Sequence, residues 1–235
     1  MLAEPGLFVR AKRYNCRLHM RQLASSILIF LTIALAGSRV SAQEPPPPIG
    51  PFVVDVHASI PSFPTDSQEL ADSRGVQNLN SLPGRGWGAQ LGAHYYFYRW
   101  KALTFGIGGE LMVARATSTP AEGSTGVIPM EERLVTASPQ LSFNFGSGHG
   151  WSYLSGGIGR SVRALHETGL EPSAADVESL PTVNYGGGAR WFIKNHLAFS
   201  LDARFYEIQP GTPIPPQPGS PRTQLFIVSA GVSLK

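Results

Sequence analysis

The chain has 235 residues, with 19 Lys and Arg against 16 Asp and Glu and a calculated pI of about 9.2. Residues 1–42 hold six of the basic residues and one of the acidic ones, so the rest carries 13 basic and 15 acidic residues, a net charge of −2. The high pI therefore gives no support to a nucleic-acid partner. The single cysteine, Cys16, lies in the same segment, which excludes disulfides, thiolate metal sites and a cysteine nucleophile from residues 43–235.

The first predicted element is an export signal. Residues 20–42 read MRQLASSILIFLTIALAGSRVSA, with an Arg beside the Met, an apolar run from Leu23 to Ala36, and a cleavage pattern that ends at Ala42. The run is shorter than the roughly 20 residues that cross the hydrocarbon core of a bilayer. We therefore interpret residues 1–42 as a cleaved signal peptide, with residues 1–19 either extending it or lying upstream of a true start at Met20.

A Pro-rich segment, residues 43–51, follows the signal and is predicted to be a stiff periplasmic tail. The next stretch, FVVDVHASI (residues 52–60), alternates apolar residues with residues that are mostly polar. A period of two predicts a β-strand with one apolar and one polar face. In a membrane barrel the apolar face contacts lipid, and the polar face with Asp55 and His57 points into the lumen.

Seven further strand segments follow, and polarity alternates clearly along all but the Gly-rich fifth, whose faces the pattern does not assign: residues 87–98, 103–113, 135–145, 151–165, 182–193, 197–206 and 224–234. The connections between the second and third, fourth and fifth, and sixth and seventh segments are short, whereas the others run from roughly 12 residues upward. Outer-membrane barrels typically have short periplasmic turns and long external loops. We predict an all-β fold, an eight-stranded antiparallel up-and-down transmembrane β-barrel over residues 52–235.

The chain resembles the small eight-stranded outer-membrane barrels of the OmpA and OmpX type over about residues 51–235. The resemblance is clearest in NYGGGARWFIKNHLAFSLDARFYEI (residues 184–208) and in the closing LFIVSAGVSLK. It implies a location in the outer membrane of a diderm bacterium, contact with outer-membrane lipid and lipopolysaccharide, and delivery to the barrel-insertion machinery. Such chains typically finish on an aromatic residue that this machinery recognises, whereas this sequence finishes on Leu234-Lys235.

In each strand every second residue faces inward. The polar and charged residues at these inward-facing positions are predicted to fill the lumen, because eight strands enclose just enough space for side chains. Opposite charges there should pair, since unpaired buried charge is costly. A narrow proton or ion path, or a metal site at His57 and His94, is the alternative, but two histidines on different strands are weak evidence and we predict no metal and no cofactor. The predicted lumen network comprises Asp55, His57, Gln90, His94, Glu110, Asn144, Arg190, Asp202 and Arg204.

Two further groups are predicted from their position in the segments. Aromatic residues near strand ends should form girdles at the two membrane interfaces: Trp87, Tyr98, Trp100, Trp151, Trp191 and Phe205. The connection HETGLEPSAADVESL (residues 166–180) is acidic and could bind divalent cations that bridge lipopolysaccharide, or a cationic partner, although a solvated surface is the simpler interpretation. Its acidic residues are Glu167, Glu171, Asp176 and Glu178.

An enzyme is considered because some outer-membrane barrels deacylate lipid A with His, Ser and Glu. His196, Ser200 and Glu207 have these residue types, but their spacing differs from that family's pattern and Ser200 has inward parity. We predict no catalytic residues, no enzyme activity, and a structural or surface-interaction role with an external partner that the sequence does not identify. A small porin or transport barrel, and a soluble periplasmic ligand-binding β-barrel, are the two alternatives.

Overall fold

The computed structural model describes residues 50–119, 127–147, 150–213 and 218–235. Eight antiparallel strands form one closed barrel in sequence order, and β1 pairs with β8 to complete it. The predicted fold class is confirmed, whereas the signal peptide and residues 43–49 of the Pro-rich tail lie outside the described residues. The strands are β1 (Phe52–Ser62), β2 (Gly86–Trp100), β3 (Leu103–Thr117), β4 (Met130–Ser147), β5 (Gly150–Glu167), β6 (Val177–Lys194), β7 (Leu197–Ile208) and β8 (Thr223–Leu234).

The alternating sequence gives each strand one exposed and one buried face. Along β2, every second residue from Trp87 to Phe97 is exposed, and the residues between them are buried. The exposed set is largely apolar throughout the barrel, and many of the buried side chains are polar or charged. A soluble ligand-binding barrel needs the opposite arrangement, so that alternative is wrong, and the exposed apolar belt requires lipid around it.

The connections differ in length at the two ends of the barrel. Residues 101–102 join β2 to β3 and residues 195–196 join β6 to β7, and we call this end the periplasmic end. The opposite, outer end carries the longer connections, including residues 63–85, which contain helix α1 (Gln68–Ser73) and a 3-10 turn (Leu79–Ser81). Neither helix in the described part of the chain has the length and apolar character needed to cross a bilayer.

Several strands extend beyond their predicted ends at the outer side. β5 continues to Glu167, which pairs with Met130, and β6 begins at Val177, so that Arg163 pairs with Glu178. The acidic connection is therefore confined to residues 168–176, and the assignment of Glu167 and Glu178 to it is wrong. The backbone ladder continues here in charged segments where the alternation of polarity has ended, so the sequence pattern gave no signal for it.

Candidate functional site

A buried ion pair crosses the lumen near its periplasmic end, between Asp55 of β1 and Arg190 of β6. The guanidinium donates from Nε and Nη2 to the two carboxylate oxygens at 2.8 and 2.7 Å. The Ser233 hydroxyl also donates to Asp55, and Arg190 Nη1 donates to Asn144 at 3.2 Å. The guanidinium carbon lies 3.8 Å from the centre of the Tyr153 ring. Every face of this charged pair therefore has a partner, as a buried ion pair requires.

A second buried group joins β7 to β3 and β2. Arg204 Nε lies 3.1 Å from Glu110 Oε2, and Arg204 Nη2 lies 3.2 Å from Asp202 Oδ2. Glu110 also accepts hydrogen bonds from the Tyr206 hydroxyl at 2.5 Å and from the Gln90 amide at 2.6 Å. One guanidinium thus serves two carboxylates, and neutral donors satisfy the remaining oxygen atoms.

The two lumen histidines bind different partners. His57 Nε2 lies 2.7 Å from Ser200 Oγ, whereas His94 Nε2 lies 3.3 Å from Gln140 Oε1 and its Nδ1 lies 3.8 Å from Asp55. Among the described residues, no group of three or more His, Cys, Asp or Glu side chains is placed to hold a metal ion. The metal-site alternative at His57 and His94 therefore gains no support.

Several lumen hydrogen bonds skip one strand and pass over an inward-facing glycine. The His57–Ser200 contact crosses Gly231 of β8, and the Tyr153 hydroxyl donates to Asp202 across Gly188 of β6 at 2.7 Å. A Cβ on Gly231 would lie 2.8 Å from His57 Cδ2, and one on Gly188 would lie 2.8 Å from the Tyr153 oxygen. The same arrangement recurs at Gly106, Gly108, Gly157 and Gly186, each between two strands whose polar side chains bond to each other.

Apolar side chains fill the lumen on both sides of these polar groups. The periplasmic layer consists of Val53, Tyr96, Trp151, Phe192 and Ala198. The ammonium of Lys235 lies 4.8 Å from the Trp151 ring and 4.3 Å from the Phe192 ring, and burial lowers its pKa. Towards the outer end, a second layer comprises Phe63, Met112, Ala114, Ala116, Leu134, Leu180, Tyr206, Ile208, Leu225 and Ile227. Beyond it lies a fully buried ion pair between Glu132 and Arg163.

Trp151 is the one predicted interface aromatic that lies inside the barrel, where 1% of it is exposed. It shares inward parity with Tyr153, and the glycine-rich β5 sequence gave no clear alternation from which to assign its face. The other five residues face outward: Trp87 and Phe205 towards the outer end, and Tyr98, Trp100 and Trp191 towards the periplasmic end. Their role as a membrane girdle stays a prediction.

The acidic residues of the outer end are divided between an ion pair and a cavity. Glu178 contacts Arg74 and accepts from the Ser220 hydroxyl at 2.8 Å. Burial lowers the pKa of the Arg74 guanidinium, against the effect of the neighbouring Glu178. Glu167, Glu171 and Asp176 line a cavity of about 530 Å³, which we call the outer cavity; its described lining comes from the β1–β2 connection, residues 128 and 130, the end of β5 and the β5–β6 connection.

The three residues considered for a catalytic triad are not brought together. His196 Nδ1 lies 3.1 Å from the Lys235 carbonyl oxygen, Glu207 accepts from Gln224, and Ser200 contacts His57 instead. The pairing of Ser200 with His57 was missed because they are 143 residues apart and meet only once the barrel closes across Gly231. Inward parity marked both residues as lumen-facing, but it could not supply the register.

No protein-family model and no curated protein matches the chain. Solved structures do match: that of Neisserial surface protein A (NspA) has a TM-score of 0.51 at 14% identity and covers 79% of this chain and 97% of its own. Ail of Yersinia pestis, in complex with the heparin analogue sucrose octasulfate, has a TM-score of 0.47 at 12% identity and covers 78% and 97%. The predicted resemblance to small eight-stranded outer-membrane barrels is confirmed at the level of the fold. The closed barrel with its exposed apolar belt thus has the fold of the small outer-membrane β-barrels.

From the sequence we ruled out enzyme activity, and that prediction is wrong. The similar solved structures include the outer-membrane enzyme PagL, with a TM-score of 0.41 at 11% identity, covering 78% of this chain and 99% of its own. They also include the outer-membrane protease OmpT of Escherichia coli, with a TM-score of 0.41 at 7% identity, covering 83% and 99%. A fold does not by itself fix a function, so the architecture does not exclude catalysis.

Proposed function

We propose that this outer-membrane barrel is a closed, non-conducting scaffold that presents its outer connections to a partner outside the cell. The observation that carries the proposal is the filling of the described lumen: an apolar layer with Trp151, the Asp55–Arg190 pair, and a second apolar layer with Leu134 follow one another along the axis. A small porin, the alternative, needs a continuous water path through these layers.

Conductance across a planar bilayer tests this proposal. We expect purified, folded barrel to give no regular current steps under conditions in which a general porin, inserted in the same way, conducts. Both apolar layers would have to open before ions could pass, and ion transfer through packed side chains is strongly unfavourable. Reproducible unitary steps from the folded barrel would overturn the proposal in favour of the porin alternative.

We also propose that lipopolysaccharide contacts an outward-facing pair of arginines. Arg115 and Arg133 are direct cross-strand neighbours beyond Val113 and Val135 of the apolar belt, with side chains that are 47% and 41% exposed. Both donate to Glu131, so the three side chains together keep one positive charge, which the exposed Glu171, 3.8 Å from Arg133, offsets only weakly. Like charges directly opposite each other destabilise a sheet; Glu131 offsets part of this repulsion, and a second anion outside the pair would offset the rest. At the outer headgroup level, that anion is a phosphate group of the lipid.

The double variant Arg115→Gln/Arg133→Gln tests the lipopolysaccharide contact. Lipopolysaccharide in the vesicle should raise the urea midpoint of unfolding of the unmodified barrel, and the double variant should lose most of that increase. Arg99→Gln/Lys101→Gln, which removes two exposed charges at the periplasmic end, is the matched control and should keep it. An increase of equal size in both variants would contradict the contact.

We further propose the domain organisation that the sequence predicts. The signal peptide, residues 1–42, is removed during export, residues 43–51 remain as a short periplasmic tail, and the barrel of residues 52–235 is delivered to the barrel-insertion machinery. The intact mass of protein purified from outer membranes checks the cleavage, because the mature chain should begin at Gln43.

A further inference from the structure

We propose that a basic rim at the periplasmic end of the barrel binds net-anionic phospholipid headgroups of the periplasmic leaflet. The basic rim consists of Arg99, Lys101 and Lys194, whose side chains are all exposed. It lies at the opposite end of the barrel from the arginine pair that we assign to lipopolysaccharide, so the inference concerns a second surface and a different lipid. It holds whether or not the lumen conducts ions.

Charged side chains are distributed unequally between the two ends of the barrel. Outside the lumen, the side-chain carboxylates of the described residues lie in the outer connections and at the outer ends of strands. The periplasmic turns and the strand ends beside them contain no Asp or Glu in their described parts, residues 97–103, 144–147, 150–152 and 192–198. The basic rim therefore keeps its full positive charge, which attracts an anion to this end.

The local contacts of the basic rim leave its charged groups available to a ligand. Arg99 Nε donates to the Lys101 carbonyl oxygen at 3.2 Å, and the Lys101 ammonium lies 5.5 Å from the centre of the Trp100 ring. None of the three cations forms an ion pair with a carboxylate of the described residues. The Nη groups of Arg99 and the ammonium groups of both lysines can therefore donate to phosphate oxygens, which a guanidinium contacts with two parallel hydrogen bonds.

The position of the basic rim along the barrel axis favours a lipid as its partner. Arg99 and Lys101 flank Trp100, and Lys194 follows Ile193; Trp100 is 56% exposed and Ile193 is 74% exposed on the apolar belt. The turns after β2 and β6 have only two residues each, so the cations stay close to the edge of the belt. Tryptophan favours the headgroup level of a bilayer. The cations would therefore lie among lipid phosphates, whereas a cell-wall polymer farther from the bilayer lies beyond the reach of such short turns.

The positive charge of the basic rim discriminates between phospholipids. Every phospholipid headgroup offers a phosphate, but a zwitterionic headgroup also carries an ammonium group that the three cations repel. Phosphatidylglycerol has no ammonium group and keeps a net negative charge. Each basic residue near the membrane surface raises the affinity for anionic lipid by about a factor of five. Salt at about 1 M shortens the screening length to about 3 Å, so it should remove most of this preference.

Quenching of tryptophan fluorescence by dibrominated lipids measures the lipid composition beside the basic rim. In the variant Trp87→Phe, the exposed tryptophans are Trp100 and Trp191 at the periplasmic end, and Trp151 is buried in the lumen. The folded barrel is reconstituted in phosphatidylcholine vesicles with increasing fractions of dibrominated phosphatidylglycerol or dibrominated phosphatidylcholine. We expect the association constant of phosphatidylglycerol to be about fivefold that of phosphatidylcholine at low salt, and similar to it in about 1 M salt. Equal quenching by the two lipids at low salt would overturn the inference.

The triple variant Arg99→Gln/Lys101→Gln/Lys194→Gln, made in the Trp87→Phe barrel, tests the residues of the basic rim. It should abolish the preference for phosphatidylglycerol and still fold, because the replaced side chains are exposed. The mobility difference between boiled and unboiled samples checks folding. A preference that survives in the folded variant would contradict the assignment to these residues.

The triple variant Arg85→Gln/Arg160→Gln/Arg222→Gln is the matched control, since it removes the same number of exposed charges from the outer half of the barrel. It should keep the preference measured beside the basic rim. Loss of the preference in the control as well would show an effect of total charge and overturn the inference. If the two lipids quench equally, while the barrel sediments with purified peptidoglycan and the variant of the basic rim does not, the partner is the cell wall and the assignment to lipid is wrong.

Discussion

Replacing Asp55 with alanine should destabilise the barrel by about 3–5 kcal/mol, because Arg190 would remain as a buried charge without its carboxylate. Asp55 is the acceptor for two guanidinium N–H groups at 2.8 and 2.7 Å and for the Ser233 hydroxyl. The pair joins β1 to β6, which are not neighbours in the sheet, so its loss removes a direct link across the lumen. No solvent reaches Arg190 to compensate for the missing charge, since its side chain is fully buried.

Urea-induced unfolding from lipid vesicles measures this effect, with the mobility difference between boiled and unboiled samples as the readout of the closed barrel. Glu69→Ala removes an exposed carboxylate and should leave the midpoint nearly unchanged. The double variant Asp55→Ala/Arg190→Met should recover part of the loss, because replacing both partners of a buried pair removes the unpaired charge. If the double variant loses as much free energy of unfolding as the single variants Asp55→Ala and Arg190→Met lose when added together, the two charges act independently.

The sequence predicts the barrel well because a lipid-facing and a lumen-facing surface impose a period of two on nearly every strand. In β2, from Trp87 to Phe97, the polarity of each residue predicts its face. The alternation of apolar and polar side chains is lost where glycines take their place. Trp151, which was assigned to the wrong face, lies in such a glycine-rich strand. The alternation also fails at the outer ends of β5 and β6, where hydrogen-bonded backbone continues through residues that no longer face lipid.

Partners inside the lumen could not be predicted, because they depend on register and closure. Polarity places Asp55 and Arg190 on the inner face, but 135 residues separate them. The stagger of the strands around the barrel, its shear, determines the height along the barrel axis at which each side chain lies. The outer cavity was missed for a similar reason, since Arg74 of the β1–β2 connection and His166 of β5 meet only in the folded chain. His166 stood within the predicted acidic loop, whereas it belongs to the end of β5.

The inward glycines carry information that composition alone did not reveal. A glycine-rich barrel sequence suggests curvature or close packing, but the structure places a polar contact over six of these residues. At these six positions, two side chains at the same level of alternate strands meet because the strand between them presents no side chain there. Alternate strands are thereby linked directly, which adds a second set of connections to the backbone ladder between adjacent strands.

Replacing Gly188 with alanine should therefore destabilise the barrel strongly, by about 1–3 kcal/mol from overpacking and by a further 1–3 kcal/mol if the bond across it breaks. The added Cβ would lie 2.1 Å from the Leu201 carbonyl oxygen and 2.8 Å from the Tyr153 hydroxyl oxygen, so both backbone and side chain must move. Moving Tyr153 would leave Asp202 without the hydroxyl donor that it now receives at 2.7 Å.

Gly109→Ala is the matched control, because a Cβ on this outward-facing glycine would have its nearest neighbour, the Ser138 carbonyl oxygen, at 3.6 Å. It makes the same chemical change in an antiparallel strand of the same sheet, so backbone propensity cancels between the two variants. Urea midpoints measured in one lipid should fall far more for Gly188→Ala than for Gly109→Ala. If the two variants lose similar stability, the inward glycines serve strand curvature alone, and the polar bonds across them adjust without cost. A large difference would instead show that the absence of a side chain at Gly188 is what allows Tyr153 to reach Asp202, and that alternate strands of this barrel stabilise one another through the lumen.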